Sequence, residues 1–330
     1  MKVLKSRINW QDDFRQSVDI VLASYNGEKY IRDQIASLQE CYGYQALVKN
    51  IIVVDDGSND LTLSILGDMA KHDPKIQIFP SEGRSLGAMR NFCRGASLSR
   101  AEFVMFCDQD DVWLKEKLEM TLLAMGERSC PIPKLVFSDV VVVDEMLGVI
   151  SESYFALKRI PKNWYSSVNS LIKQNVVSGC TMMANRALIA RALPVEASAY
   201  MHDWWLALVA SAEGELIFVD KPLMLYRQHN SNAIGAGLAR RYDFFYRLRR
   251  FISSVDKTVL QARAFRRMFP LVSESYPAVA ALSQITDRPV FTNVGSALWG
   301  ELRRSSLLGC FAMAMYCMVF AKNIEKRNQA

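Results

Sequence analysis

The chain has 330 residues, half of them hydrophobic, so it can bury either one large core or two smaller ones. Seven cysteines without a C-x-x-C pair argue against a disulfide framework and a structural zinc site, and predict a reducing cytoplasm. The net charge of +6 is uneven, because residues 240–330 carry 15 Lys/Arg and 6 Asp/Glu whereas residues 1–239 carry 25 and 28. A basic tail of this kind attracts nucleic acid, anionic lipid or a phosphorylated substrate, and charge alone does not choose among them.

The first third of the chain alternates between predicted strands and helices. Residues 1–16 are charged and lack a continuous apolar run, so no secretory signal is predicted. The predicted strands are 18–23, 50–54, 76–79 and 102–107, and the helices that follow them are 28–40, 60–71, 86–99 and 114–126. This alternation predicts an α/β fold with a mostly parallel central sheet, flanked by helices and joined by right-handed crossovers.

Polar clusters follow three of these strands, and the most acidic is Asp108-Gln109-Asp110-Asp111. Ligands of open α/β sheets bind at the carboxyl ends of the strands. Asp108 and Asp110 are two residues apart and would offer hard oxygen ligands to a Mg²⁺- or Mn²⁺-like ion that also holds phosphates. An acidic loop that caps the next helix is the alternative. The first turn, Ser24 to Lys29, lacks the G-x-G-x-x-G pattern, so the metal site would have to neutralise a nucleotide diphosphate.

The second third is predicted to contain strands at 134–143, 176–183, 216–219 and 223–226, and an apolar helix at 201–210. Residues 151–167 are predicted to be irregular, with four aromatic side chains that either stack on sugars or pack a long loop. They are Tyr154, Phe155, Trp164 and Tyr165.

Two more polar clusters occur in this part of the chain. Asp203 stands at the start of a helix beside Trp204 and Trp205, where it is either a cap or a partly desolvated general base. His229 follows the last predicted strand and is either a structural residue or a metal ligand.

Together these clusters resemble the motifs of the family-2 inverting glycosyltransferases, which have the GT-A fold. The resemblance covers residues 17–232 and is greatest for the rhamnosyltransferase-like branch. Five motifs carry it in order: Ser24-Tyr25-Asn26-Gly27, Val54 to Asp60, Asp108 to Asp111, His202-Asp203, and Tyr226-Arg227-Gln228-His229. His202 departs from the acidic residue that the family often has there, so Asp203 alone is expected to be the base.

The resemblance implies transfer of one sugar with inversion, because the Q-x-x-R-W signature of processive synthases is absent. It implies Asp203 as catalytic base and Mg²⁺ or Mn²⁺ on Asp108, Asp110 and His229. Asp56 is the first choice for the contact to the nucleotide base. The remaining implied donor contacts are Ala23, Ser24, Tyr25, Asn26, Asp55, Asp108, Gln109 and Arg227, the last on a phosphate.

The implied donor is a dTDP- or UDP-sugar, with rhamnose as the leading sugar, and the implied acceptor is a glycan or a lipid-linked precursor of bacterial surface polysaccharide such as lipopolysaccharide. An inactive module that binds nucleotide-sugar or glycan is the alternative function. A nucleotidyltransferase is a third, although the glycine- and basic-rich loop usual in that class is missing near the amino end.

The predicted domains are a GT-A catalytic domain at 1–235 and a basic, mainly helical extension at 236–330. The catalytic domain would comprise a nucleotide-binding half (17–113) and an acceptor half (114–235). In the extension, residues 240–252 interleave arginines with aromatics as an interfacial helix does. Residues 307–321 form an uncharged run that is shorter than the ~20 residues of a spanning helix. The extension is expected either to bind the cytoplasmic face of the inner membrane or to pack on the catalytic domain or on a second subunit in a homodimer. No nucleic-acid partner is expected.

Overall fold

The structure is a computed structural model that describes residues 15, 17–126, 130–229, 244–324 and 327, without the side chains of residues 244, 245 and 247. Most of residues 1–16, for which no secretory signal is predicted, lie outside the described residues. So does the arginine-rich beginning of the tail at residues 240–243.

The first half of the sheet consists of four parallel strands, and the predicted elements are confirmed to within a few residues. The strands are β1 (Val18–Ser24), β2 (Val48–Asp55), β3 (Ile76–Phe79) and β4 (Phe103–Cys107), and the helices are α1 (Ile31–Gln39), α2 (Tyr44–Leu47), α3 (Thr62–Ala70) and α4 (Ala88–Leu98). β1 pairs in parallel with both β2 and β4, and β2 pairs with β3. β1 and β4 are buried almost throughout, which explains their continuous apolar runs.

The second half of the sheet is mixed rather than mostly parallel. Its elements are β5 (Val112–Trp113), α5 (Lys117–Met125), β6 (Lys134–Val143), β7 (Val149–Ser151), α6 (Tyr154–Lys158), α7 (Val168–Leu171), β8 (Met183–Asn185), α8 (Arg186–Ala192), α9 (His202–Glu213) and β9 (Glu215–Arg227). The strand order is β3-β2-β1-β4-β8-β6-β9-β5, with β7 on β6. β8 runs antiparallel to both neighbours, so it joins the parallel first half to the parallel pair of β6 and β9.

Three predictions for this half need correction. The strand predicted at 176–183 is wrong, because a 3₁₀ turn at Gly179–Thr181 interrupts it and β8 begins only at Met183. The two strands predicted between 216 and 226 are one strand, β9, whose register shifts against β6 near Asp139. The stretch 151–167 is partly ordered by α6 and a 3₁₀ turn at Trp164–Ser166. Its aromatic residues mostly pack, as Phe155 lies 4.8 Å from Phe218 between ring centroids.

The sheet separates two apolar layers, as the period of two along a strand requires. Ile20 and Leu22 of β1 face the layer that contains Ile35 of α1. Val21 faces the other layer, which contains Phe92 of α4.

Five helices follow the sheet: α10 (Phe244–Met268), α11 (Pro270–Ser273), α12 (Pro277–Ser283), α13 (Val290–Trp299) and α14 (Leu307–Val319). The ring of Phe265 on α10 lies 6.1 Å from that of Trp205 of α9, and the ring of Phe269, the residue directly after α10, lies 6.0 Å from it, between ring centroids. The carboxyl-terminal extension therefore packs on α9, and packing on the rest of the chain is one of the two expectations for this extension. Within the part of the chain that the structure describes, no helix combines the length and apolarity needed to cross a membrane.

Helix α4 rests directly on the sheet at Gly95. A Cβ atom at this position would overlap the side chain of Val21 and would lie 3.2 Å from Val54 Cγ2. We expect Gly95→Ala to lower the free energy of unfolding by about 1–3 kcal/mol, since helix and sheet must separate. Gly67→Ala in α3 is the matched control, because nothing lies within 4 Å of its added methyl and alanine favours helix by up to ~1 kcal/mol. Urea denaturation measures both, and equal effects of the two substitutions would contradict this packing.

Candidate active site

A cavity of about 740 Å³ opens at the carboxyl edge of the parallel strands. Its walls come from the ends of β1, β2 and β4, the loop after α7, the start of α9, and α10. Eight residues predicted from the sequence line it: Ala23, Ser24, Tyr25, Asp56, Asp108, Gln109, Asp110 and Asp203. Four others lie outside the lining and support it from behind: Asn26, Asp55, Arg227 and His229.

Asp55 ties the first two turns together. Its Oδ1 accepts hydrogen bonds from the backbone of Gly57 and Ser58 at 3.0 and 2.8 Å, and its Oδ2 accepts one from Ser24 Oγ at 2.8 Å. Asn26, at a φ of 48°, accepts a bond from the backbone N–H of Asn59 at 2.9 Å. Asp55 is fully buried and engaged in these bonds, so it shapes the turns, and the nucleotide contacts of Asp55 and Asp56 stay predictions.

Gln109 fastens the acidic turn to the first turn. Its Oε1 accepts from the backbone N–H of Tyr25 at 2.8 Å and its Nε2 donates to the carbonyl of Tyr25 at 2.9 Å. The amide group also packs on Gly27, where an added Cβ would overlap it. These contacts hold the first and third motifs against each other where β1 and β4 end.

Asp56 lines the cavity and is held by the loop before α4. Its carboxylate accepts from the backbone of Leu86 and Gly87 at 2.6 and 2.9 Å and from Ser85 Oγ at 2.5 Å. Since a carboxylate has about four lone-pair sites, these three bonds leave acceptor capacity for an N–H donor in the cavity.

The predicted metal ligands Asp110 and His229 converge in space although 119 residues separate them. Asp110 Oδ2 lies 2.9 Å from His229 Nε2, and the imidazole ring stacks on Tyr30 at 4.9 Å between centroids. Two neighbouring ligands of an octahedral ion, each at about 2.1 Å from it, stand about 3.0 Å apart. Carboxylate oxygen is the donor that suits Mg²⁺ and Mn²⁺, and imidazole nitrogen is a common donor to divalent transition metals. The pair therefore fits a divalent ion.

The other two carboxylates of the turn are more enclosed. Burial, and then the neighbouring Asp110, raise the pKa of Asp108 to about 7. The same causes raise the pKa of Asp111, whose Oδ2 has no hydrogen-bond partner among the described residues. Ligand atoms of Asp108, Asp111 and Cys180 all lie within 4.8 Å of one another. Burial raises the pKa of the Cys180 thiol. The cluster of Asp108, Asp111 and Cys180 therefore suits a hard divalent ion less well than the pair of Asp110 and His229 does.

Two buried cationic residues, Arg227 and Lys117, lie next to the acidic turn. Arg227 donates from its backbone N–H to Asp111 Oδ1 at 3.0 Å, and from Nε to the carbonyl of Asp110 at 2.9 Å. Lys117, which the sequence did not single out, is fully buried and donates to the carbonyl of Cys180 at 2.9 Å. The side chain of Arg227 is buried against this backbone, and its predicted contact with a phosphate stays a prediction.

Asp203 occupies the first turn of α9 and is 9% exposed. Burial raises its pKa to about 6, although hydrogen bonds from the backbone of Trp204 and Gly179 and from the Asn175 side chain oppose the rise. The neighbouring His202 stacks on Phe92 at 4.2 Å between centroids, and burial lowers its pKa to about 3. A carboxylate with a pKa near neutrality at the edge of a cavity is suited to accept a proton.

Asn175 and Gly179 escaped prediction because their segment resembled a strand. An added Cβ at Gly179 would lie 2.9 Å from His202 Nε2, so glycine permits the close approach of α9. The glycine inside an apolar run was the one available signal. Asn175 had none, since its contact with Asp203 depends on tertiary structure.

Comparison with known proteins shows a family match and a similar curated protein. Residues 19–184 match the family model described as glycosyl transferase family 2. The chain is similar to the dTDP-rhamnosyl transferase RfbG of Shigella flexneri, with 28% identity over 234 residues that cover 66% of this chain and 75% of RfbG.

Two solved structures share the fold. One is S. aureus TarS 1-349 in complex with UDP-GlcNAc, with a TM-score of 0.53, 17% identity, and coverage of 94% of this chain and 92% of that one. The other is the mannosyltransferase PcManGT from Pyrobaculum calidifontis in complex with GDP-Man and Mn²⁺, with a TM-score of 0.54, 15% identity, and coverage of 93% and 88%. These similarities confirm the predicted fold class, with its central sheet and helical carboxyl-terminal region.

The ligand pair can be tested by binding alone. We expect Asp110→Asn to weaken Mn²⁺ binding in the presence of UDP by ~10-fold or more, because an anionic ligand atom is lost. Glu119→Gln is the control, since it removes one negative charge from an exposed position on α5. Calorimetry with MnCl₂ measures both variants. Unchanged affinity in Asp110→Asn would exclude Asp110 as a ligand.

Proposed function

The chain belongs to glycosyltransferase family 2, and from this premise we propose that it is a metal-dependent, inverting glycosyltransferase that adds one sugar to a glycan or lipid-linked acceptor in bacterial surface-polysaccharide synthesis. The observation that carries the proposal is the convergence of three groups on one cavity. They are the hydrogen-bond-accepting carboxylate of Asp56, the carboxylate of Asp110 with His229 behind it at 2.9 Å just outside the lining, and the carboxylate of Asp203, whose pKa is raised.

The donor in this proposal is a dTDP- or UDP-sugar. The remaining hydrogen-bond-accepting site of Asp56 favours a base with a ring N–H on its pairing edge, as thymine, uracil and guanine have, over cytosine, whose ring nitrogen there is an acceptor. The similarity to a dTDP-rhamnosyl transferase supports rhamnose as the sugar. Ser24, Tyr25 and Gln109 border the same end of the cavity and would contact the nucleoside.

Catalysis follows from the positions of the chain's own groups. Asp203 would take the proton from the acceptor hydroxyl as that oxygen attacks the anomeric carbon from the face opposite the diphosphate, so one displacement inverts the centre. Hydrogen bonds from the backbone of Trp204 and Gly179 orient the carboxylate. Asp110 and His229, with Asp108 beside them, would hold Mg²⁺ or Mn²⁺. The ion would supply positive charge to the diphosphate leaving group.

A membrane surface is the proposed location of the acceptor, at the cytoplasmic face of the inner membrane. Exposed apolar side chains on α14 recur at helical spacing and form the apolar face: Leu307, Leu308, Phe311, Met315, Met318 and Val319. The adjoining α13 adds Phe291 and Trp299, which are 91% and 82% exposed. Exposed Arg303 and Lys322 flank α14, a combination that suits an anionic bilayer.

Asp203→Asn tests the reaction class. Wild-type enzyme with Mn²⁺ is expected to release nucleoside diphosphate from one member of a panel containing dTDP-rhamnose, UDP-GlcNAc and GDP-mannose. The variant should lose ~10²–10⁴ in kcat, because the amide cannot accept a proton, and should retain its affinity for UDP. Asp68→Asn on the surface of α3 is the control. If the wild type instead consumes added pyrophosphate and converts one of these nucleotide-sugars to nucleoside triphosphate and sugar 1-phosphate, the protein is a nucleotidyltransferase.

The pH dependence of transfer follows from the same carboxylate. Asp203 must be ionised to act as base, so kcat is expected to fall as the pH drops through about 6. The titratable groups around it, His202, Asp108 and Tyr154, are themselves displaced from their ordinary pKa values, and His202 stays neutral down to pH of about 3. A pH–rate profile at saturating Mn²⁺ measures this fall in kcat on the acidic side. A rate that is flat from pH 5 to 8 would contradict Asp203 as base.

Point substitutions test the membrane role better than truncation, since α10 is part of the core. Phe311→Ser combined with Trp299→Ser is expected to abolish sedimentation with vesicles containing anionic lipid. Binding of the wild type should weaken with added salt. Met146→Ser is the control, because this side chain is 88% exposed on the turn between β6 and β7. Unaltered sedimentation of the double variant would exclude this face as the contact, and loss of a wild-type dimer would assign it to a second copy.

A further inference from the structure

A basic wall bounds one part of the cavity. We define it as the side chains of Lys173, Arg250, Lys257 and Arg304, all of which line the cavity. Lys173 lies in the loop after α7, Arg250 and Lys257 lie on α10, and Arg304 precedes α14. The carboxylates that line the same cavity come instead from the strand ends and from α9. The acidic and basic side chains that line the cavity therefore come from different parts of the chain, and most of the basic ones belong to the carboxyl-terminal helical region.

Neutral groups hold the basic wall in place. Lys257 Nζ lies 3.2 Å from the hydroxyl of Tyr200, and an Arg304 Nη donates to the carbonyl of Lys173 at 2.8 Å. Lys173 Nζ lies 5.7 Å from the ring centroid of Trp164. Among the ion pairs between described residues, none includes a member of the basic wall.

The carboxylates of the same helical region are already engaged elsewhere. Asp256 on α10 accepts from Arg327 at 2.6 Å and from the Tyr316 hydroxyl at 2.5 Å. Glu301 accepts from Arg288 at 2.8 Å. Glu301 acts on Lys173 only from a distance, so among the described residues no carboxylate is paired with the basic wall, which is the arrangement of a site for an anionic ligand.

The cations also crowd one another. Burial, and then the neighbouring guanidinium of Arg304, lower the pKa of Lys173 to about 8. A ligand with two negative charges relieves such crowding more than one with a single charge. Ser253 and Ser254 line the cavity beside Arg250 and add hydroxyl donors, and a phosphate offers several acceptor oxygens to such a mixed set.

Two short links join the basic wall to the proposed base. Lys173 is two residues before Asn175, whose side chain hydrogen-bonds Asp203. Lys257 contacts Tyr200, three residues before Asp203, and the backbone N–H of Tyr200 donates to Gln261 of α10 at 2.7 Å. Through these links the basic wall adjoins the two segments that hold Asp203, the side from which the acceptor hydroxyl would reach that carboxylate.

We infer that the acceptor is a phosphate or diphosphate ester and that Lys173, Arg250, Lys257 and Arg304 bind its phosphoryl group while Asp203 faces the hydroxyl to be glycosylated. This inference rests on the proposed function, because it takes the Asp203 side as the acceptor side. It assigns the carboxyl-terminal helices a direct part in acceptor choice. Both a lipid-linked sugar diphosphate and a soluble phosphorylated glycan have this chemistry.

The first test measures binding without metal, so that the Asp110–His229 pair does not contribute. In buffer with EDTA, wild-type protein is expected to bind N-acetylglucosamine 1-phosphate at least tenfold more tightly than N-acetylglucosamine. Lys173→Gln combined with Lys257→Gln should remove this preference and leave the affinity for UDP with Mn²⁺ within twofold. Lys49→Gln, an exposed lysine on β2, is the control and should retain the preference. Equal binding of the two sugars by the wild type, or an undiminished preference in the double variant, would overturn the inference.

A second measurement separates this inference from the function on which it rests. If nucleoside diphosphate is released with a neutral acceptor and the phosphate preference is absent, only the inference fails. If the preference is present but no donor is ever cleaved, the proposed function fails and the acceptor role fails with it. Two acceptors then distinguish the sources: a polyprenyl diphosphate-linked sugar in micelles and N-acetylglucosamine 1-phosphate in solution. Phe311→Ser should lower kcat/KM for the lipid-linked one alone if the lipid is the source.

Discussion

The concentration of carboxylates after β4 is the constraint on which the rest of the site depends. Asp108, Asp110 and Asp111 lie within four residues, and buried charges are stable only when they are paired and hydrogen-bonded. Arg227 at the end of β9 donates its backbone N–H to Asp111 and its Nε to the carbonyl of Asp110, and the positive charge of the buried Lys117 at the start of α5 acts on Asp111. The acidic turn therefore determines how the last strand and the helix behind it must be placed. His229 follows Arg227 by two residues, so the strand that compensates the charge also delivers the second ligand atom to Asp110.

Close approaches between elements give the site its shape. Glycine allows Gln109 to lie on the first turn at Gly27 and allows His202 to lie on Gly179, and in both places a methyl group would collide with the neighbouring side chain. The second contact matters for chemistry, because it brings the backbone of the 3₁₀ turn to Asp203. Burial then raises the pKa of that carboxyl while these hydrogen bonds limit the rise. The result is a carboxylate that is ionised at neutral pH and still basic enough to accept a proton.

The carboxyl-terminal helices take part in the site as well as in the core. The aromatic contacts of α10 with Trp205 anchor the helix behind α9, and the bond from Tyr200 to Gln261 joins it to the segment just before the proposed base. Its other face lines the cavity with basic and hydroxyl side chains. One helix thus connects the stability of the core with the charge of the acceptor side, while α13 and α14 expose the apolar face on another surface of the molecule.

Local patterns in the sequence determined the parallel half of the sheet, its helices and the polar turns at the strand ends, because burial on both faces of a strand and the polarity of a turn are properties of neighbouring residues. They also identified Asp108, Asp110, Asp203 and His229 as candidates, since Asp and His in such turns are short-range signals. Only the tertiary structure showed that Asp55 holds two turns while Asp56 lines the cavity, and that Arg227 bonds the backbone of the acidic turn. It alone replaced the strand predicted at 176–183 with a 3₁₀ turn and brought Lys173, Lys257 and Arg304 to one wall. These features depend on contacts between residues far apart in the chain, and no period or motif in the sequence records which distant segments will meet.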